Sequence, residues 1–268
     1  MKKVASLRYG VIFKKAFCVP EIFTAFVRDF TDVQLEVDHI ETEKSFAPII
    51  GKIDSRFDLF VEDKRNRIIV DIQHRRLTDH YDRFLHYHCA AILEQASNAD
   101  NYRPPLKVLT LVVLTSGDKH KTDISTIDFN PRNLEGKSLR ETSHKIMYIC
   151  PKYVNEKTPE PYREWMLAIE DSLDQEVDES QYRHPAIHQL FQQIENEGVS
   201  PTERAAMFDE QADQEYVKKK IQNNSITIAV NLLTGGSGLT KEQIAQATGL
   251  RLEEVNELAL SPIIPEDE

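Results

Sequence analysis

Two aspartates, Asp58 and Asp71, and an amide, Gln73, lie in segments that otherwise read as buried strand, RFDLFVE (56–62) and RIIVDIQ (67–73). Strand interiors select β-branched and aromatic residues, and a lone charge buried there is costly, so these acids need a partner or a purpose. A hairpin turning between Lys64 and Arg65 puts Asp58 directly opposite Asp71. That register gathers Phe57, Leu59 and Val61 with Ile68, Val70 and Ile72 on one face, and Arg56, Asp58, Phe60, Ile69, Asp71 and Gln73 on the other. Side chains so opposed have Cβ atoms about 4.5 to 5.5 Å apart, where like charges repel. Such a pair shares a proton, takes a cation such as Arg56, or binds a metal ion. Mg²⁺ suits it, being held by one or two carboxylates and keeping several waters, and a metal so held activates water and screens charge on a scissile phosphate. On spacing alone a solvated carboxylate patch neutralised by arginines is the commoner outcome for such a pair, and both readings stand on these residues.

The elements that position this hairpin are legible in outline. Apolar residues from Val11 to Phe30 recur at helical spacing and predict two helices, broken at Pro20. VQLEVDHIE (33–41) alternates like a half-exposed strand. Residues 79–96 predict a helix with Thr78 or Asp79 as N-cap. LKVLTLVVLT (106–115) is a nearly continuous apolar run, as expected of a central strand buried on both faces. Residues 116–137 read as a polar loop, KIMYICPKYV as a further strand, and helices dominate from Pro159 onward. Thr240 and Gln243 form a capping-box pattern, Gly249 stops that helix, and a second starts near Glu253.

Composition narrows the function. The 268 residues are 40% hydrophobic and 29% charged, ordinary for a soluble globular chain. The net charge of −11 is segregated: residues 156–215 hold 16 acids against 4 bases, whereas residues 64–88 hold six Lys/Arg against three acids. That basic stretch is compatible with a phosphate-rich partner. Cys18, Cys89 and Cys150 show neither a disulfide framework nor zinc spacing and fit a reducing cytoplasm. His74, His80, His86 and His88 include no H-x-x-x-H pair and read as surface or groove histidines. No apolar stretch approaches the roughly 20 residues of a membrane helix. Arg83 and Tyr87, four apart on one helical face, can reach the acids or a phosphate backbone. The C-terminal helical pair carries the wrong charge sign for a DNA reader and reads as a cap or a surface for partner proteins.

DLFVEDKRNRIIVDIQ, an Asp on one strand and D-x-Q on the next, resembles the PD-(D/E)XK nuclease superfamily, specifically the Rpn-type recombination-promoting nucleases, also described as PD-(D/E)XK transposases. FKKAF (13–17) is similar to the family's opening helix, and Arg83, Tyr87, Gln95 and Tyr102 to its R-x-x-x-Y helix and the tyrosine beyond. KVLTLVVL, MYICPKY and EWMLAIED are similar to its later strands and its Trp-containing helix. The resemblance implies that Asp58 and Asp71 bind a divalent ion, Mg²⁺ or Mn²⁺, with the carbonyl of Ile72 as a further ligand. Gln73 then stands where many relatives carry Lys, Asp71 where Glu is usual, and Gly10 where the first helix usually has an acid. Arg75, Arg76, Arg83 and Tyr87 become the expected substrate contacts.

The expected architecture is α/β: a restriction-endonuclease-like core over 1–155, an acidic helical region over 156–235, and a small helical hairpin and tail over 236–268. The expected function is a cytoplasmic, divalent-metal-dependent DNA endonuclease linked to recombination or a mobile element. The alternative is a catalytically degenerate module that binds DNA or protein. A homodimer, or a protein partner on the C-terminal helices, is compatible with either reading, and no membrane association is expected.

Overall fold

The computed structural model describes residues 1–37, 39–47, 54–74, 79–96 and 104–260. Two compact units divide it, Met1–Met207 and Phe208–Glu268.

The N-terminal aromatic run forms α1 (Gly10–Phe17) and α2 (Pro20–Thr31). Pro20 opens α2, a position where its missing N–H costs no helical hydrogen bond, and Asp32 closes the helix in the left-handed conformation at φ 57°. Phe13, Phe17, Phe23, Phe26 and Phe30 are all buried. They pack toward Trp165 of α4 (Tyr162–Leu173), whose ring centroid lies 6.3 Å from Phe17 and 5.3 Å from Phe26. The Trp165 indole N–H donates to Asp29 Oδ2 at 2.8 Å, and His184 Nε2 meets the same oxygen at 2.9 Å. His184 also caps α5 (Pro185–Gln193) by accepting the Ala186 N–H through Nδ1. One buried carboxylate thus ties α2, α4 and α5 into a layer.

That layer covers one face of a six-stranded mixed sheet: β2 (Glu41–Phe46), β3 (Ser55–Glu62), β4 (Asn66–Gln73), β5 (Lys107–Leu114), β6 (Ile124–Asp128) and β7 (Lys145–Ile149). The order is β2-β3-β4-β5-β7-β6; β4, β5 and β7 run parallel, while β2, β3 and β6 pair antiparallel to their neighbours. α3 (His80–Ala96) is the crossover from β4 to β5 and covers the other face. β5, with seven consecutive buried residues, is the central strand that its apolar run predicts. Leu59, Val61, Ile68, Val70, Leu111, Val113 and Ile149 face α1, α2, α4 and α5, whereas Phe60, Ile69, Val112 and Tyr148 belong to clusters on the α3 side. β1 (Lys2–Lys3) and β8 (Glu176–Val177) form a separate two-stranded ribbon. This three-layer arrangement is a restriction-endonuclease-like α/β fold.

Several expectations are corrected. The second strand is 41–46 rather than 33–41, and β6 lies inside the expected loop 116–137. Residue 155 is no boundary between compact units, because Trp165, Ile169, Ile187, Leu190 and Phe191 complete the core that the sheet begins. His80 and His88 are buried, not surface residues. Thr78 lies outside the described residues. α6 (Pro201–Thr234) begins in the first unit and runs into the second, where Ala229, Ile244 and Val255 make a small core with α7 (Lys241–Thr248) and α8 (Leu252–Leu260). The Thr240–Gln243 capping box and the left-handed Gly249 stop are present as expected. No helix among the described residues is long and apolar enough to cross a membrane.

His88 makes this fold sensitive to acid. It is fully buried, stacks on Phe129 with centroids 4.9 Å apart, and shares a 2.8 Å hydrogen bond with Thr110. Burial, aided by His144, pushes its imidazole down to about 3. The unfolded chain takes up this proton near pH 6.5 and the folded chain does not, so stability falls as pH drops from 6.5 toward 3, by on the order of 3–4 kcal/mol from this group. Equilibrium urea unfolding of wild type and His88→Asn across this range should show a steeper pH dependence for wild type; parallel slopes would remove His88 as the cause.

Candidate active site

The hairpin register runs Glu62↔Arg67 to Leu59↔Val70, so Asp58 and Asp71 are the next opposed pair, as the sequence predicts. There the regular ladder gives way to side chains. Asp71 Oδ1 accepts the Asp58 N–H at 3.2 Å, and Asp58 Oδ2 accepts the Ile72 N–H at 3.0 Å. The strict alternation expected for β3 fails at this point. Phe57 does not join Leu59 and Val61 but packs with Phe46, Phe60 and Tyr87 on the α3 side. Asp71 is only 3% exposed, and its Oδ2 is buried with no hydrogen-bond partner among the described residues.

A third carboxylate stands beside the pair. The β2–β3 pairing includes Thr42↔Leu59 and Lys44↔Phe57, which leaves Glu43 across from Asp58 at a skipped position. Glu43 has φ 56°, a left-handed conformation costing a non-glycine residue on the order of 1 kcal/mol. Its carboxylate is ion-paired with Lys14 of α1 and with Arg56 of β3. Lys14 Nζ also lies 3.8 Å from Asp58 Oδ1. Ion pairs this exposed contribute about 0.5 kcal/mol, so they do not outweigh the backbone cost.

Burial raises the Asp58 carboxyl above its usual range, against the Ile72 N–H and Lys14, which favour the anion. Asp71 is raised well above, first by burial and then by the Asp58 charge, with the Asp58 N–H and Arg83 opposing. Glu43 goes the other way: burial would raise it, but Lys14 and Arg56 together hold it below its ordinary value. Among the described residues, Lys14 beside Asp58 and Arg83 beside both acids favour the ionised forms without offsetting burial and mutual repulsion.

Of the other expected site residues, Gln73 is buried at the end of β4, and its carbonyl accepts the Thr115 N–H. Arg83 of α3 lies over the rings of Phe84 and Tyr87, at 5.2 and 5.3 Å, and its charge acts on both aspartates. Tyr87 packs edge-on against Phe57 at 5.7 Å and serves as the floor beneath Arg83. Arg75, Arg76 and Tyr102 lie outside the described residues. Gly10 is the first residue of α1. Glu43 and Lys14 are the neighbours that sequence reasoning misses: the expected strand 33–41 ends before Glu43, and nothing in FKKAF marks Lys14 as a neighbour of the aspartates.

Among the described residues no three His, Cys, Asp or Glu side chains converge as a ligand set. Two opposed carboxylates, one with a buried oxygen lacking a partner, nevertheless match a hard divalent cation that takes one or two carboxylates and completes its shell with water.

The fold and this hairpin define a nuclease-like class of α/β proteins. A family model described as PD-(D/E)XK nuclease family transposase matches residues 12–224, from α1 through the sheet and into α6, and the chain belongs to that family. No curated protein and no solved structure matches it.

A carboxylate raised in the folded state favours folding below the ordinary carboxylate range and opposes it once pH passes the raised value. Asp71→Asn keeps an acceptor for the Asp58 N–H and removes the charge, so it should stabilise the chain by about 1 kcal/mol near pH 7.5 with chelator present, a melting-temperature rise of about 2–4 °C. Differential scanning calorimetry checks this, and a lower melting temperature would contradict the electrostatic description.

Proposed function

We propose that this chain is a divalent-metal-dependent DNA endonuclease, acting in the cytoplasm in recombination or on behalf of a mobile element. The observation that carries the reading is the opposed Asp58–Asp71 pair, with an Asp71 oxygen that is buried and has no hydrogen-bond partner among the described residues. Family membership supports a nuclease-like or transposase-like function with DNA as substrate. Free Cys18, Cys89 and Cys150 accord with a reducing compartment.

In this reading Asp58 and Asp71 hold the cation, with the Ile72 carbonyl as a further ligand. When bound, Mg²⁺ or Mn²⁺ would supply an activated water and a screen for charge on the phosphate. The two backbone N–H donors that hold the carboxylates fix their orientation before any ligand arrives. Gln73 lacks charge and cannot carry a proton at neutral pH, so its role is to orient a water or a phosphate oxygen by hydrogen bonding. Arg83, braced on Tyr87, answers the developing phosphate charge, and the sequence offers Arg75 and Arg76 as further candidate phosphate contacts.

Supercoiled plasmid incubated with purified protein and Mg²⁺ or Mn²⁺ should be nicked or linearised, with EDTA abolishing cleavage and Asp58→Ala or Asp71→Ala reducing it at least 100-fold. Intact plasmid in every lane, alongside salt-sensitive gel retardation of DNA, would replace this reading with that of a degenerate DNA-binding module. Cleavage undiminished by either substitution would keep the enzyme class and discard the site.

A further inference from the structure

Among the described residues, Lys14 and Arg83 are the cations that act on the paired aspartates, and Gln73 supplies no charge. Among the described residues, Lys14 is the lysine whose ammonium is ion-paired to this group of acids. It projects from a helix that cannot easily retreat, because Ile12, Phe13, Ala16 and Phe17 of α1 are buried, with Phe13 stacked on Phe17 at 4.3 Å.

The contacts of Lys14 are uneven. It is hydrogen-bonded to Glu43, while its 3.8 Å separation from Asp58 Oδ1 is too long for a hydrogen bond. An ammonium group has three donors, so this arrangement leaves capacity for an oxygen arriving beside Asp58. Glu43, which pairs with Lys14, sits in a left-handed backbone conformation at a skipped ladder position opposite Asp58. Strained residues that persist within a sheet cluster at functional sites.

We propose that Lys14 is a catalytic residue that contacts a non-bridging oxygen of the scissile phosphate, and that Glu43 is a positioning residue that holds it there. The assignment rests on the hydrolytic reading above. Water adds to phosphorus and gives up one proton to bulk water, the bond from phosphorus to one sugar oxygen breaks, and that oxygen takes a proton from bulk water, so the proton count closes. Lys14 keeps its own proton throughout, giving a charged hydrogen bond to the phosphate as negative charge grows on it. It thereby takes the part that an amide at position 73 cannot.

The test is single-turnover cleavage of a labelled DNA duplex by the full-length chain, with calorimetric titration of Mn²⁺ and a thermal melt for each variant. Lys14→Met should slow cleavage about 100-fold or more while Mn²⁺ affinity stays within about threefold of wild type, and Lys14→Arg should restore most of the rate. Glu43→Gln should slow cleavage about tenfold in the wild-type background and add nothing in Lys14→Met, because it acts through the lysine. If Lys14→Met destabilises the fold, Lys14→Gln replaces it. Wild-type rates in a folded Lys14 variant, with Asp58→Asn inactive, would overturn this proposal and leave the nuclease reading intact. Equal losses from Glu43→Gln in both backgrounds would remove the positioning role. A wild-type chain that neither binds Mn²⁺ nor cuts overturns both.

Discussion

Two like-charged side chains held across neighbouring strands are the constraint around which this molecule is organised. Burial and mutual repulsion push Asp58 and Asp71 toward their neutral forms, and two backbone N–H groups and the nearby cations only partly offset that. Each carboxylate accepts an amide proton from the opposite strand, so the acids serve as local hydrogen-bond partners where the regular ladder stops. The cost is local, while the surrounding core is dense with aromatic and branched side chains. A site that opposes its own fold is affordable only on such a frame.

The frame explains why help comes from both faces. α1 is locked to one side of the sheet by its phenylalanines and carries Lys14; α3 crosses the other side and carries Arg83. The sheet edge contributes Glu43 through a single strained residue. Three elements distant in sequence therefore meet at one hairpin, and the parallel strands β4, β5 and β7 give that hairpin a rigid base.

What could be read from the residues alone was whatever is locally patterned. The Asp58–Asp71 register follows from turn position and alternation, β5 from its unbroken apolar run, and the Thr240–Gln243 box from capping chemistry. What could not be read depends on tertiary neighbours. β6 is a short, partly exposed edge strand whose ISTID composition does not differ from a loop. Glu43 looked like a polar residue near the end of a strand because its backbone breaks the pattern that would have located it. Phe57 changes sides next to the point where the Asp58 carboxylate takes a backbone N–H, a break that period-two counting does not register. His88 is tolerated in the core because Thr110 and Phe129, remote in sequence, receive it. α4 and α5 lie in a stretch that is acidic overall, yet their apolar faces finish the main core.

The chain has a single tryptophan, and it is Trp165. Its indole rests against Phe17 at the end of α1 and Phe26 of α2, and its ring nitrogen is bound to Asp29. The tryptophan emission of the native protein therefore arises from one chromophore touching the helix that bears Lys14. Any tilt of that helix alters this emission without a label, so the indole is a built-in optical gauge of where α1 sits.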